Sequence, residues 1–354
     1  MPSTRRALLR SVAAGAAVSP LPGLGRATAA EPRVPTVIGP DGPGVPVSIP
    51  RRCQEAYERA YRATRTLADR LADAGSGTDL TVAVTSDADR WCGERRLPRL
   101  QVRVTGADHP PVPREFADLP VEVADVARRE RGTGGGERSR ATGTCADPCN
   151  LRNFDPVPGG VFAEGGTTTW VVRLLDTDYL LTANHTLQSG DPGCGDVETS
   201  ILYQYRQRVG PVLAGDDVED WALVGLGRDA DVSGFHPGVP QREERFGGHF
   251  SIRGLLDVIA RRETLYALGT TTCETAGPAD WIGTHLSECG RSTPVASVDA
   301  VSDYGDSGGP VYGIRGEHLV FHHMGNSAII CGPGLSGVPG VHLSSKYGFS
   351  FATG

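Results

Sequence analysis

Lysine is almost missing from these 354 residues: Lys346 is the only one, and arginine carries the rest of the positive charge, which we read as GC-rich coding. Positive charge is scarce altogether. The formal net charge is -7, and four Arg with no acid fall within residues 1–30, so the remainder is more acidic still. A nucleic-acid binder needs a basic face to displace counterions from phosphates, so that class is excluded. Long hydrophobic runs are missing too. Nowhere do about 18 uncharged apolar residues follow one another, apart from a Gly- and Pro-broken segment near the N-terminus, which excludes a membrane-embedded protein. Paired Cys and His at zinc spacing are absent as well; only Cys145 and Cys149 come close, without a second pair, so no metal or other cofactor is expected. No internal repeat of fixed period occurs.

Residues 1–30 read as an export signal. Arg5 and Arg6 precede Leu8, Leu9 and Arg10; a weakly apolar run follows from Val12 to Leu24, then Ala27, Thr28 and Ala29. Paired arginines before a core of low hydrophobicity resemble the twin-arginine signal, and imply a secreted protein. All eight cysteines lie beyond this segment and their number is even, which suggests disulfides in an oxidising compartment.

Residues 31–127 form the first folded region. A Pro-rich lead-in over 31–50 precedes a helix marked by Tyr57, Ala60, Tyr61, Thr64, Leu67, Ala68 and Leu71, with Gly75 placed to end it. Alternating runs at Leu80–Thr85, Leu100–Thr105 and Leu119–Val126 read as half-buried strands. Together they predict a small α+β domain with its own modest core, a pro-region or an accessory domain. Its two cysteines, Cys53 and Cys92, are expected to pair. Residues 128–150, rich in Arg and Gly, read as an exposed linker. From 151 to 354 the pattern changes to short β-rich runs broken by Gly, Pro and Asp: Thr167–Leu175, Tyr179–Thr182, Ile201–Tyr205, Trp221–Leu226, Leu265–Thr272 and Val311–Ile314. That pattern predicts an all-β barrel or sandwich.

Within this region the strongest signal is Gly305-Asp306-Ser307-Gly308-Gly309-Pro310. Flanking glycines allow a tight turn that exposes the Ser hydroxyl and aims the amides of Gly305 and Ser307 at one point, where an oxyanion can bind. A Ser hydroxyl needs a base to become a nucleophile. His185 fits, standing where the apolar run Tyr179–Ala183 leaves the core. The imidazole needs a buried acid to fix its tautomer, and Asp220 opens the apolar run Trp221–Val224. Asp216, Asp217 and Glu219 read as a solvated acidic loop or, failing that, a cation site.

The order His, Asp, Ser, with the segments Thr182–His185, Asp220–Leu223 and Gly305–Pro310, resembles the chymotrypsin-like (trypsin-fold) serine proteases, in particular prokaryotic secreted members. Asn184 and Thr186 depart from the family's usual Ala and Cys. A looser similarity covers Leu265–Gly277, and the whole resemblance spans roughly residues 155–345. It implies two antiparallel barrels with the site between them, and a serine endopeptidase acting on polypeptides through an acyl-enzyme. Ser307 would be nucleophile, His185 base and acid, and Asp220 the orienting group. It also implies a buried ion pair for Asp306, and pairing of Cys331 with Cys289 or Cys273. The alternatives are a catalytically silent homologue that binds partners, and an esterase; the Ser-last order disfavours an α/β-hydrolase.

For substrate contacts, the resemblance puts Val301 at the floor of the specificity pocket, with Asp303 close by, and the strand Leu319–Gly325 at its wall, open to pairing with an extended substrate. His322 and His323, on opposite faces of such a strand, would offer one imidazole to a substrate carboxylate, as the His-Trp-Gly stretch of glutamyl endopeptidases does. Cleavage after Glu or an apolar residue is expected, ahead of Arg or Lys.

Overall fold

A computed structural model describes residues 33–39, 42–44, 46–74, 80–104, 109–125, 157–163, 165–187, 200–204, 206–227, 232–233, 245–287, 290–303, 305–326 and 332–351. The export signal, the expected linker at 128–150, and Cys145, Cys149, Cys194, Cys289 and Cys331 lie outside the described residues.

The elements used below are, in chain order, β1 (Val37–Gly39), α1 (Arg51–Asp73), β2 (Leu80–Cys92), β3 (Arg95–Val104), β4 (Leu119–Asp125), β5 (Gly166–Leu174), β6 (Thr177–Thr182), β7 (Ile201–Gln204), β8 (Gln207–Asp216) and β9 (Trp221–Gly225). They continue with β10 (Arg245–Phe250), α2 (Ile252–Arg261), β11 (Thr264–Gly269), β12 (Cys273–Leu286), β13 (Ser292–Ser302), β14 (Pro310–Arg315), β15 (His318–Asn326), β16 (Gly332–Pro339), α3 (Gly340–Tyr347) and β17 (Ser350–Phe351).

Two rolled antiparallel bodies result, the two-barrel architecture expected. In the first, Phe162–Ala163 starts a path through β5, β6, β9, β8 and β7, with β17 on the free side of β5. Strands β5 and β9 are buried on both faces, and Trp170, Val172, Leu180, Leu202, Val212, Trp221 and Val224 belong to one apolar cluster. In the second, pairings run β11–β12, β12–β13, β13–β16, β16–β15, β15–β14 and β14–β11, which closes a ring. Closure removes the sheet edges that would otherwise invite association.

α1 buries Tyr57, Ala60, Thr64, Leu67, Ala68 and Leu71, the stripe expected from the three- and four-residue spacing. The strands that follow do not make a sheet of their own. β2 pairs with the outer half of β12, from Leu80 opposite Leu286 to Thr85 opposite Trp281. β3 and β4 extend the same sheet, the latter in parallel. Leu67, Val82 and Leu100 share one apolar core with Leu255, Ile282, Val298 and Val311. The separate modest core expected for residues 31–127 is therefore a core held in common with the second barrel. The reason is geometric: β12 outruns its barrel, and its exposed edge is completed by β2. Cys53 and Cys92 are bonded to each other, as their co-location suggested, and Cys273 is disulfide-bonded too. Two helices were not legible in the sequence, α2 and α3, and β12 is far longer than the short strands expected there.

Candidate active site

Leu180, Leu181, Thr182 and Ala183 are buried at the end of β6, and the chain then turns through a short 3₁₀ segment, Asn184–Leu187, which carries His185 out of the core. Asp220 closes the turn before β9 with φ +50°, an unusual conformation for a non-glycine residue. Its main-chain oxygen accepts from Asn184 N–H at 3.3 Å, so the two turns are tied together.

The Asp220 carboxylate is surrounded by donors. Oδ1 accepts from the His185 main-chain N–H at 2.8 Å, while Oδ2 lies 2.6 Å from His185 Nδ1 and accepts from Asn326 Nδ2 at 2.5 Å. A carboxylate only accepts, so Nδ1 carries the imidazole proton and Nε2 is left with its lone pair. That is the tautomer a general base needs. Asn326, at the end of β15, is a member of this group that the sequence reading missed.

Around Ser307 the backbone uses φ +97° at Gly305 and +90° at Gly308. A Cβ on Gly308 would meet the Thr167 carbonyl at 2.1 Å and the Ala183 amide at 3.0 Å, so the loop packs against the chain entering the histidine turn. The Ser307 carbonyl accepts from Thr167 N–H at 2.7 Å. Gly305 C=O accepts from Thr167 Oγ1 at 2.6 Å and from Thr270 Oγ1 at 2.9 Å. Both barrels thus grip the loop.

Asp306 is buried beside it, with Gly269 making room: a Cβ there would lie 2.1 Å from Asp306 Oδ1. Oδ1 accepts from the amides of Thr271 and Thr272 at 2.8 and 3.1 Å; Oδ2 accepts from Asp303 N–H at 2.8 Å and Thr272 Oγ1 at 2.7 Å. Burial pushes its pKa up despite these bonds. The ion pair implied for Asp306 is replaced, among the described residues, by this cage of neutral donors.

The acidic turn is not the solvated loop expected. Glu219 is 2% exposed and takes His342 Nε2 at 3.1 Å, Lys346 Nζ at 2.5 Å and Tyr347 OH at 2.6 Å, all from α3. Burial works to raise its pKa, but the hydrogen bonds from His342, Lys346 and Tyr347 prevail and bring it down to about 2. Asp216 caps the amides of Val218 and Glu219 and pairs with Arg291, and Asp217 accepts from Asn184 Nδ2. These carboxylates build the turn that aims Asp220.

The expected substrate contacts fare differently. Val301 is 46% exposed near the end of β13, and Asp303 is buried. His322 and His323 are both fully buried and share a side: their Nδ1 atoms are 2.6 Å apart. Alternation fails because Val311 faces His323 while the next residue, Tyr312, faces Phe321, so His322 is the extra residue of a β-bulge. His323 Nε2 lies 3.1 Å from the Leu335 carbonyl and so carries its proton there; His322 Nδ1 then donates to His323 Nδ1. Burial drives both imidazoles well below their ordinary pKa, His323 to about 3. Gly325 donates to Gly309 O at 2.8 Å and accepts from Gly308 N–H at 2.7 Å. Across Leu319–Gly325, β15 pairs with β14 on one edge and with β10 or β16 on the other, so the backbone pairing with substrate expected of this strand is already taken.

No protein-family model matches this chain, and no curated protein sequence matches it. Among solved structures, its fold is similar to that of a glutamic acid specific serine protease described as using a novel histidine triad in substrate binding, at TM-score 0.43 and 16% identity over 55% of this chain and 100% of that one. It is also similar to Thermobifida fusca protease A, at 0.40 and 18% over 56% and 99%, and to Cellulomonas bogoriensis chymotrypsin, at 0.37 and 17% over 56% and 99%.

Proposed function

We propose that this chain is a secreted serine endopeptidase, exported by the twin-arginine route, whose nucleophile, base and orienting acid are Ser307, His185 and Asp220. The observation that carries the reading is the double grip of Asp220 on His185, main-chain N–H and Nδ1 together, which leaves Nε2 as the acceptor.

Ser307 Oγ attacks the scissile carbonyl while His185 Nε2 takes its proton. Asp220 stabilises the imidazolium without accepting the proton itself. The amides of Gly305 and Ser307 receive the oxyanion. The intermediate collapses, the amine leaves with the proton from His185, and water repeats the sequence on the acyl-enzyme. The pocket, with Val301 at its floor, presents no carboxylate to Arg or Lys, and cleavage follows Glu or an apolar residue.

Labelling with a peptidyl organophosphonate, followed by peptide mapping, tests the assignment. Modification at Ser307, lost in Ser307→Ala and in His185→Ala together with peptide hydrolysis, is expected. A Ser307→Ala protein retaining more than about a tenth of the activity refutes it.

A further inference from the structure

Helix α2 is buried without interruption from Gly254 to Ala260, and that run includes a carboxylate, Asp257. A helix on a protein surface keeps a polar face toward water. Here α2 packs against β12 of the barrel and, in the same sheet, β2 and β3, and it also meets α1. Asp257 Oδ1 accepts from Arg95 Nε at 2.6 Å, with the two side chains 5% and 6% exposed, and Arg95 donates onward to Ser48 O. The helix's N-cap is held the same way: Ser251 N–H donates to Thr36 O at 2.9 Å and Ser251 Oγ to Pro35 O at 2.8 Å.

Three glycines of the barrel region are shaped to this partner. A Cβ on Gly248 would lie 2.1 Å from Ile38 O, one on Gly254 2.0 Å from Thr36 O, and one on Gly283 2.1 Å from Val82 O. In each case the obstacle is main chain, which cannot step aside as a side chain can. These contacts fall on β10, α2 and β12, while His185, Asp220 and Ser307 stand on turns elsewhere.

We propose that residues 33–125 are a resident part of the folded protein, clamped on α2 and on the edge of β12, and that they stay bound when the connection to residue 157 is cut. This chooses the accessory role over a releasable pro-region. It does not need the catalytic assignment. If these residues left, Leu256, Asp257 and Ala260 would face water, and Asp257 would lose the Arg95 half of a buried pair.

The test is to place a site-specific protease sequence between residues 131 and 140 of the full chain, cut the folded protein and run size exclusion at micromolar concentration. Both fragments are expected to co-elute with the labelling by organophosphonate unchanged, and to unfold together in denaturant. Gly283→Ala and Asp257→Ala in the same cut protein should each weaken the association by about a hundredfold or more, whereas Arg99→Ala, at a half-buried pair with Glu122 inside residues 33–125, should not. Spontaneous separation of the cut wild-type halves overturns the proposal, whatever state the larger half is in. Co-elution with no labelling before or after cutting leaves this inference standing and removes the protease reading instead.

Discussion

Thr167 Oγ1 donates to the Gly305 carbonyl at 2.6 Å, so a hydroxyl on the first barrel holds the Gly305–Pro310 loop of the second. The same oxygen accepts from Thr270 N–H at 3.1 Å, and the Thr167 amide holds the Ser307 carbonyl. One residue therefore orients peptide planes on both sides of Asp306, between the two amides assigned to the oxyanion.

Thr167→Val keeps the shape and removes the hydroxyl. A half-buried acceptor then loses one of two donors, and the loop is free to rotate away from its productive setting. We expect kcat to fall about ten- to a hundredfold with KM little changed, and affinity for a peptide aldehyde, which uses the same oxyanion site, to fall in parallel. Thr167→Ser should restore most of both. A loss confined to thermal stability would show that the hydroxyl merely packs.

Asp220→Asn should slow peptide hydrolysis by about four orders of magnitude while substrate still binds, because an amide stabilises the wrong imidazole tautomer. Asn326→Ala should be milder, about tenfold, since Asp220 keeps both bonds to His185 and loses one of its three donors. Steady-state kinetics on one peptide distinguishes them. Equal, large losses in both would mean that Asn326 supports the fold of the site rather than the charge on Asp220.

The residues proposed as the triad announce themselves locally in the sequence: an apolar strand ending in His185, a lone acid opening another, and glycines around Ser307. Asn326 announces nothing, since its part depends on the end of β15 meeting a turn over a hundred residues earlier. Glu219 was misread for the same reason; its partners all come from α3. The segment Ile252–Ile259 carries Arg253 and Asp257 among its apolar residues, and only its place between α1 and the barrel buries Gly254–Ile259 without a break. For His322 and His323 the rule of alternation was sound, but the bulge that defeats it carries no glycine to mark it.

Acid should destabilise the protein in two stages. His249 is buried beside Phe351, and burial lowers its pKa to about 4. The unfolded chain takes up that proton near pH 6.5 and the folded one only near 4, so stability is complete above 6.5 and declines across this window, by roughly 3 kcal/mol for this group. His323, at about 3, deepens the decline. Glu219 acts lower: its folded pKa of about 2 gives stability that is complete above about 4.5 and is lost as pH falls toward 2. Urea midpoints measured from pH 8 to pH 3 should fall from about 6.5 downward, and His249→Leu should flatten the upper part. A midpoint constant between pH 7 and 5 would contradict the buried neutral histidines.

Specificity is the most exposed prediction, because it turns on a single side chain. Val301, proposed for the floor of the pocket, has an apolar, 46% exposed side chain, and nearby Asp303 is buried. A guanidinium entering such a pocket would lose water without gaining a counter-charge, a cost of several kcal/mol. An apolar side chain would lose only unfavourable hydration. A Glu carboxyl would need a proton or a cation, and the His322–His323 pair, buried and held neutral, supplies neither. Cleavage after Glu should therefore show no rise relative to cleavage after Leu or Phe as pH drops from 8 to 6, a range in which both imidazoles stay neutral. Val301→Asp should open cleavage after Arg in a peptide-library digest. Dominant cleavage after Arg by the wild-type enzyme would place another carboxylate in the pocket and remove Val301 from its floor.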